Sequence, residues 1–286
     1  MAATTIPAAA SAAPVKHKYY QRFDRIDRVM HALLMLTFTG CTITGMPLVF
    51  SDHAWAAGVA QLLGGFTGTA LIHRICAVIM IVVFFGHVVR VFADAIRRTG
   101  LLGTLWGPKS MVPQPQDAID AYRHVLWFIG KGPRPTFDRY TYWEKFDYWA
   151  VFWGMFIIGG SGLMLWFPFL FSEVLPGWVF NISTVVHGEE ALLAVGFIFT
   201  IHFFNGHVRP EKFPMDLVIF TGRIPEHELK EERTKEYARL VQEGGLVALE
   251  ATPPSIFAKY FGWIVGGTVV VVGTATILVI VYSVIL

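Results

Sequence analysis

The sequence predicts an all-α integral membrane protein, a bundle of four helices followed by a fifth, C-terminal transmembrane helix. Three observations carry that prediction. The chain of 286 residues is 54% hydrophobic and only 15% charged, with a mean hydropathy of +0.52, outside the composition of ordinary soluble domains. Five apolar stretches, at residues 29–50, 71–92, 146–167, 184–206 and 261–286, each approach the ~20 residues a helix needs to cross hydrocarbon. The basic residues are also segregated. Segments 51–70 and 168–183 contain no Lys or Arg, whereas the N-terminal tail, residues 93–145 and residues 207–260 hold five, eight and eight. Basic connections stay on the cytoplasmic side, so the N-terminus is expected in the cytoplasm and the C-terminus outside, as in a multi-pass protein of a bacterial inner membrane.

Taken in order, residues 1–28 read as a cytoplasmic tail, disordered through Val15 and basic from Lys16 to Arg28. Residues 29–206 make the four-helix unit. Gly40 and Gly45 in the first span, and Gly154, Gly159, Gly160 and Gly162 in the third, allow close approach of a neighbouring helix or a flat macrocycle. Between the second and third spans, residues 116–128 suit a short amphipathic helix on the membrane surface. Residues 207–260 form a second cytoplasmic segment in which PEHELKEERTKEYARLVQEGG, from Pro225, reads as one charged surface helix stopped by Gly244 and Gly245, a solvated spacer or a docking helix. The fifth span carries Gly262, Gly266, Gly267 and Gly273, a small-residue face expected to meet a neighbouring subunit.

Cys41 and Cys76 both fall in apolar stretches and read as small buried hydrophobes. No C-x-x-C-H and no cysteine cluster is present, which excludes covalently attached haem and an iron–sulfur centre on this chain. No nucleotide-binding loop or catalytic-triad pattern appears, no catalytic residue is assigned, and nucleic acid is not among the expected partners.

The informative residues are histidines. His73 and His87 lie fourteen apart in the second span, and His187 and His202 fifteen apart in the fourth. At about 100° and 1.5 Å per residue, each pair returns to nearly one helix face, roughly 21 Å apart along the axis. Both spans run outside to inside, so His73 and His187 share an outer level and His87 and His202 an inner one. An ionisable side chain within a span is costly and has a function. Paired imidazoles at two matched levels suit the axial positions of two stacked haems, giving electron-transfer centres. His31 opens the first span and also lies at the inner level. His207, five residues past His202 and about 140° round an α-helix, is expected to face elsewhere. His17, His53, His124 and His227 read as surface residues. Arg74, beside His73, suits a haem propionate, and Arg90 suits one at the inner level or the membrane border. Glu190, near the face of His187, is a candidate proton carrier, or simply a hydrated carboxylate.

RFDRIDRVMHALLMLTFTGCTITG (22–45) resembles the first helix of the gamma (cytochrome b) subunits of formate dehydrogenase and nickel–iron hydrogenase. IHFFNGH (201–207) and MDLVIFTGRIPEHELKEERTKEYARL (215–240) resemble the end of that family's fourth helix and its tail. The second helix is closer to cytochrome b of the bc complexes. The first resemblance implies ligand pairs His73–His187 and His31–His202; the second implies His73–His187 and His87–His202. Both inner candidates are present, so two b-type haems are expected, or three if the spare inner histidines are used. The implied function is electron relay between the quinone pool and a partner redox subunit, an iron–sulfur or multihaem c-type protein on the outer face. By the same resemblance the quinone belongs near His202, Asn205 and His31. The rivals are a proton channel or transporter relaying through the histidines, and a membrane anchor with no redox role.

Overall fold

The computed structural model describes residues 18–285; the tail expected to be disordered, and His17, lie outside the described residues. Among the described residues, five helices are long and apolar enough to cross a membrane. The first, α1 (Arg25–Val49), starts a turn before the apolar stretch because Asp24 caps it. Its carboxylate accepts from Asp27 N–H at 2.9 Å, and Asp27 returns the bond to Asp24 N–H. Four buried threonines on α1 donate back to carbonyls one turn earlier: Thr37, Thr39, Thr42 and Thr44 to Leu33, Met35, Phe38 and Gly40, at 2.7–3.0 Å. This disposes of every hydroxyl within a helix that has no water to bond.

The second, α2 (Gly65–Asp94), begins at Gly64 and Gly65, whose φ of 89° and 74° only glycine adopts freely. It packs along α1, where a Cβ at Gly40 would fall 2.5 Å from the Cys76 sulfur. After a π turn, Gly100 (φ 68°) redirects the chain into a short helix, Gly100–Trp106. The surface helix α3 (Pro115–Phe128) follows where the sequence places it. The third span, α4 (Tyr142–Trp166), is capped reciprocally by Thr141 and Glu144. The fourth, α5 (Trp178–Val208), runs six residues further out than the apolar pattern suggests.

Between α5 and the last span the chain builds a small cap. Strands β1 (Tyr19–Gln21), β2 (Arg223–Pro225) and β3 (Glu250–Ala251) pair antiparallel in the order β2-β1-β3. The expected single surface helix is two, α6 (Glu226–Glu232) and α7 (Thr234–Gln242), because Arg233 leaves helical geometry (φ −125°, ψ 46°) to reach Glu144 at 2.7 Å. Nor is it a solvated spacer. Glu236 of α7 is buried and binds Arg22 at 2.7 Å and Arg139 at 3.1 Å, joining the N-terminal strand to the entry of α4.

The last span, α8 (Ile256–Ile285), corrects one expectation. Its small-residue face packs on the chain itself: a Cβ at Gly262, Gly266 or Gly273 would meet Phe220, Met215, Phe199 or Phe203 at 2.6–3.0 Å. Gly267 alone of the four looks into open space. His53 and Trp55, in the connection after α1, hold its far end through Ser283 at 3.0 and 2.9 Å.

Candidate functional site

The upper end of the bundle, where the connections are free of Lys and Arg, holds His73 and His187. Their rings face each other edge to face, with centroids 6.2 Å apart and planes at 70°. The elements holding them form a local repeat. Thr44-Gly45 on α1 meets His73 on α2, and Ser161-Gly162 on α4 meets His187 on α5. Each hydroxyl lies five residues before the end of its helix. Helices α2 and α5 both start six residues earlier than the apolar pattern predicts, so the two histidines sit deeper within their helices but remain level.

In both histidines the Nδ1 atom is spoken for. Thr44 donates its hydroxyl proton to Gly40 and accepts from His73 Nδ1 at 2.9 Å. His187 Nδ1 lies 2.9 Å from the Ile158 carbonyl, which can only accept. The π turn Met155–Gly159 presents that carbonyl. The proton is therefore on Nδ1, and each Nε2 keeps a lone pair. Glycine lies against both rings: a Cβ at Gly45 would be 3.4 Å from His73 Cε1, and one at Gly162 only 2.9 Å from His187 Cε1. Two imidazoles bonded through Nε2 at about 2 Å to one metal have centroids roughly 6 Å apart, so this donor set fits an iron porphyrin between them. Arg74 is exposed beside this level, its guanidinium 5.4 Å from the Trp166 ring, free for a carboxylate.

The lower, charged end holds more histidines in a looser arrangement. His202 Nδ1 binds Asp147 at 3.0 Å, leaving its Nε2 free in the same way. His87 differs: its Nε2 is bonded to the Tyr148 hydroxyl at 3.0 Å. Neighbouring residues of α4 thus fix imidazoles from the helices on either side. His31, His202 and His207 lie near enough to one another to interact electrostatically. This corrects the expected direction of His207. The end of α5 winds as two π turns, Ile198–His202 and Phe204–Val208, and i→i+5 winding brings a residue five on back toward the same side. Arg90 is committed to Asp24 at 2.5 Å and Asp27 at 3.3 Å, fastening α2 to the cap of α1 rather than waiting for a propionate.

Residues 22–209 match the family model of prokaryotic cytochrome b561. The chain belongs to the prokaryotic cytochrome b561 family. It is therefore a membrane b-type haem protein of the electron-transfer class, akin to the cytochrome b subunit of nickel–iron hydrogenase. A comparison with curated proteins gives no match. The family match spans α1 to α5 and ends as the last π turn closes, so the cap helices and α8 lie beyond it.

Sequence reasoning missed Asp147 and Tyr148. A carboxylate one residue into an apolar stretch was the available signal. It also read His124 as a surface residue, whereas His124 is buried, stacked on Phe128 at 4.7 Å and bonded to Tyr142 at 3.1 Å. His227 is exposed, as expected. Glu190 accepts from Trp153 Nε1 at 3.1 Å in an exposed contact between α4 and α5.

Proposed function

We propose that this cytochrome b carries two haems, one held by His73 and His187 and one by His202 with His31, and relays electrons between quinone and a partner redox subunit. Bound haem supplies reversible one-electron chemistry. The chain supplies imidazoles whose tautomer is set by Thr44, Ile158 and Asp147, and small residues that let the macrocycle approach. The observation that carries the reading is the facing pair His73–His187, with both Nδ1 atoms anchored and both Nε2 atoms free. His31 is preferred to His87 at the lower level because Tyr148 engages the His87 Nε2, while His31 lies within electrostatic reach of His202.

The charged end faces the cytoplasm in this proposal, with residues 1–28 and 207–260 inside, 29–206 as the haem bundle and 261–286 as an added span whose end is outside. Quinone binds at the lower level near His202, Asn205 and His31, where titratable groups can exchange protons with the aqueous phase. The partner, an iron–sulfur or multihaem c-type protein, docks outside above His73 and His187, where Arg74 holds a propionate.

Pyridine haemochrome quantitation and dithionite difference spectra of the purified chain test this. Two haems per chain with a reversible b-type absorption change are expected. An absence of that change would leave the channel and anchor readings standing.

A further inference from the structure

Helix α3 is amphipathic the wrong way round for a water-facing element. Its acidic residues and its histidine turn into the protein. Asp117 binds Lys145 at 2.8 Å, Asp120 is 6% exposed and 3.6 Å from Lys235, and His124 is 8% exposed. Its apolar residues turn out: Ile119, Tyr122, Val125, Phe128 and Ile129 are 45–69% exposed. The helix just before it repeats the pattern, with Leu101, Leu102, Leu105 and Trp106 exposed after Gly100 redirects the chain. Water does not favour such a surface, and an apolar patch of this kind marks a contact.

Charge identifies the contact. From residue 95 to residue 131 the exposed ionic side chains are all cationic: Arg97, Arg98, Lys109, Arg123 and Lys131. The only two carboxylates in that stretch, Asp117 and Asp120, are the ones turned inward and paired. Both ends of the stretch join membrane-crossing helices, α2 and α4, so it lies at the membrane face. Outward apolar side chains flanked by cations, with the anions withdrawn, complement an anionic lipid surface.

We propose that Gly100–Trp106 and α3 form a platform that lies in the headgroup layer and selects anionic phospholipid, its apolar side chains entering the acyl boundary and Lys109, Arg123 and Lys131 meeting lipid phosphates. The platform is tied to the helix that positions the lower histidines, since Lys145 holds Asp117 and Trp149 donates to the Met111 carbonyl at 3.0 Å.

The test uses the full haem-loaded chain in nanodiscs doped with photoactivatable phosphatidylglycerol or phosphatidylcholine, with crosslinked residues mapped by mass spectrometry. Crosslinks at Ile119, Tyr122 and Val125 are expected, roughly tenfold more from the anionic probe. The variant K109Q/R123Q/K131Q should fall to the phosphatidylcholine yield, with crosslinks on α8 unchanged and the haem spectrum intact as the check on folding. The wild-type comparison stands alone if that variant does not fold. Three results overturn the proposal: no crosslinks on α3 from either lipid, equal yields from both, or crosslinks that disappear in native membranes because a partner polypeptide covers α3.

Discussion

The two histidine levels are built from the same residue type by opposite means. At the upper level two imidazoles meet each other, each backed by a hydroxyl-bearing residue and a glycine, and no titratable side chain supports either ring. At the lower level His31, His202 and His207 lie within electrostatic reach of one another, Asp147 holds His202, Tyr148 holds a fourth histidine, His87, and a salt-bridged cap lies beyond. A neutral, closely packed level suits a station that only passes electrons. A level with surplus imidazoles, a carboxylate and a route to charged residues suits one where electrons and protons meet. The contrast follows from what each end of the bundle abuts: bare connections above, and the basic, acidic and aromatic residues of the cap below.

The largest expected effects come from deleting the proposed ligands. On the proposed pairing, His73→Ala and His187→Ala should each remove the upper haem and leave the lower, since either variant takes away one of its two imidazoles. At the lower level the comparison can be broken. His31→Ala should remove the second haem, whereas His87→Phe should keep both, read by haem content. Loss of haem from His87→Phe with retention in His31→Ala would reverse the assignment.

Asp147→Asn comes next. It keeps a hydrogen-bonding side chain beside His202 but removes the charge that fixes the Nδ1–H tautomer. Partners of this kind are worth about 10–100-fold in ligand affinity. Lower haem retention should fall by that order, its midpoint potential should rise, and the upper haem should not change. A matching shift in the upper haem would show that the levels are not independent. Gly162→Ala tests the packing difference on a smaller scale. The new methyl must displace His187 Cε1 from 2.9 Å, so the upper haem spectrum should broaden or shift. Gly160→Ala, with open space around it, should be silent, and Gly45→Ala, at 3.4 Å, should fall between them.

How much of this was legible in the sequence depends on which force set each feature. Burial in lipid set the five spans, so hydropathy found them, missing the first residues that caps and glycines add: Asp24 before α1, Gly64 before α2, Thr141 before α4, Gly177 before α5 and Ser255 before α8. The matched depths of His73 and His187 survive because both helices gain the same six residues. What failed was inference from the α-helical period. His207 was assigned by 100° steps, but the chain winds in π turns there, and no propensity distinguishes the two windings over five residues. The cap was illegible for another reason. Its strands are two or three residues long and pair across more than two hundred positions. Its helix break at Arg233 answers a partner, Glu144, that no local pattern reveals. Likewise His124 reads as a surface residue because its partners, Tyr142 and Phe137, lie on other segments, and no local pattern shows that α3 turns this side chain inward.

That inward turn gives the smallest of the predictions and confines it to one end. Burial of His124 lowers its pKa below the ordinary 6.5, with Arg134 and Arg209 adding to the effect. For a base lowered in the folded state, the native form holds the neutral ring. The contribution to stability is complete above 6.5 and is lost as pH falls from there through the folded value. Acidification should therefore loosen α3 from Tyr142 and speed hydrogen exchange in residues 115–128, with the upper level unaffected. His124→Phe, which keeps the stacking on Phe128 and cannot be protonated, should abolish the response. Equal loosening at both ends on acidification, or a response that persists in the phenylalanine variant, would assign the sensitivity to other groups and remove His124 from the contrast.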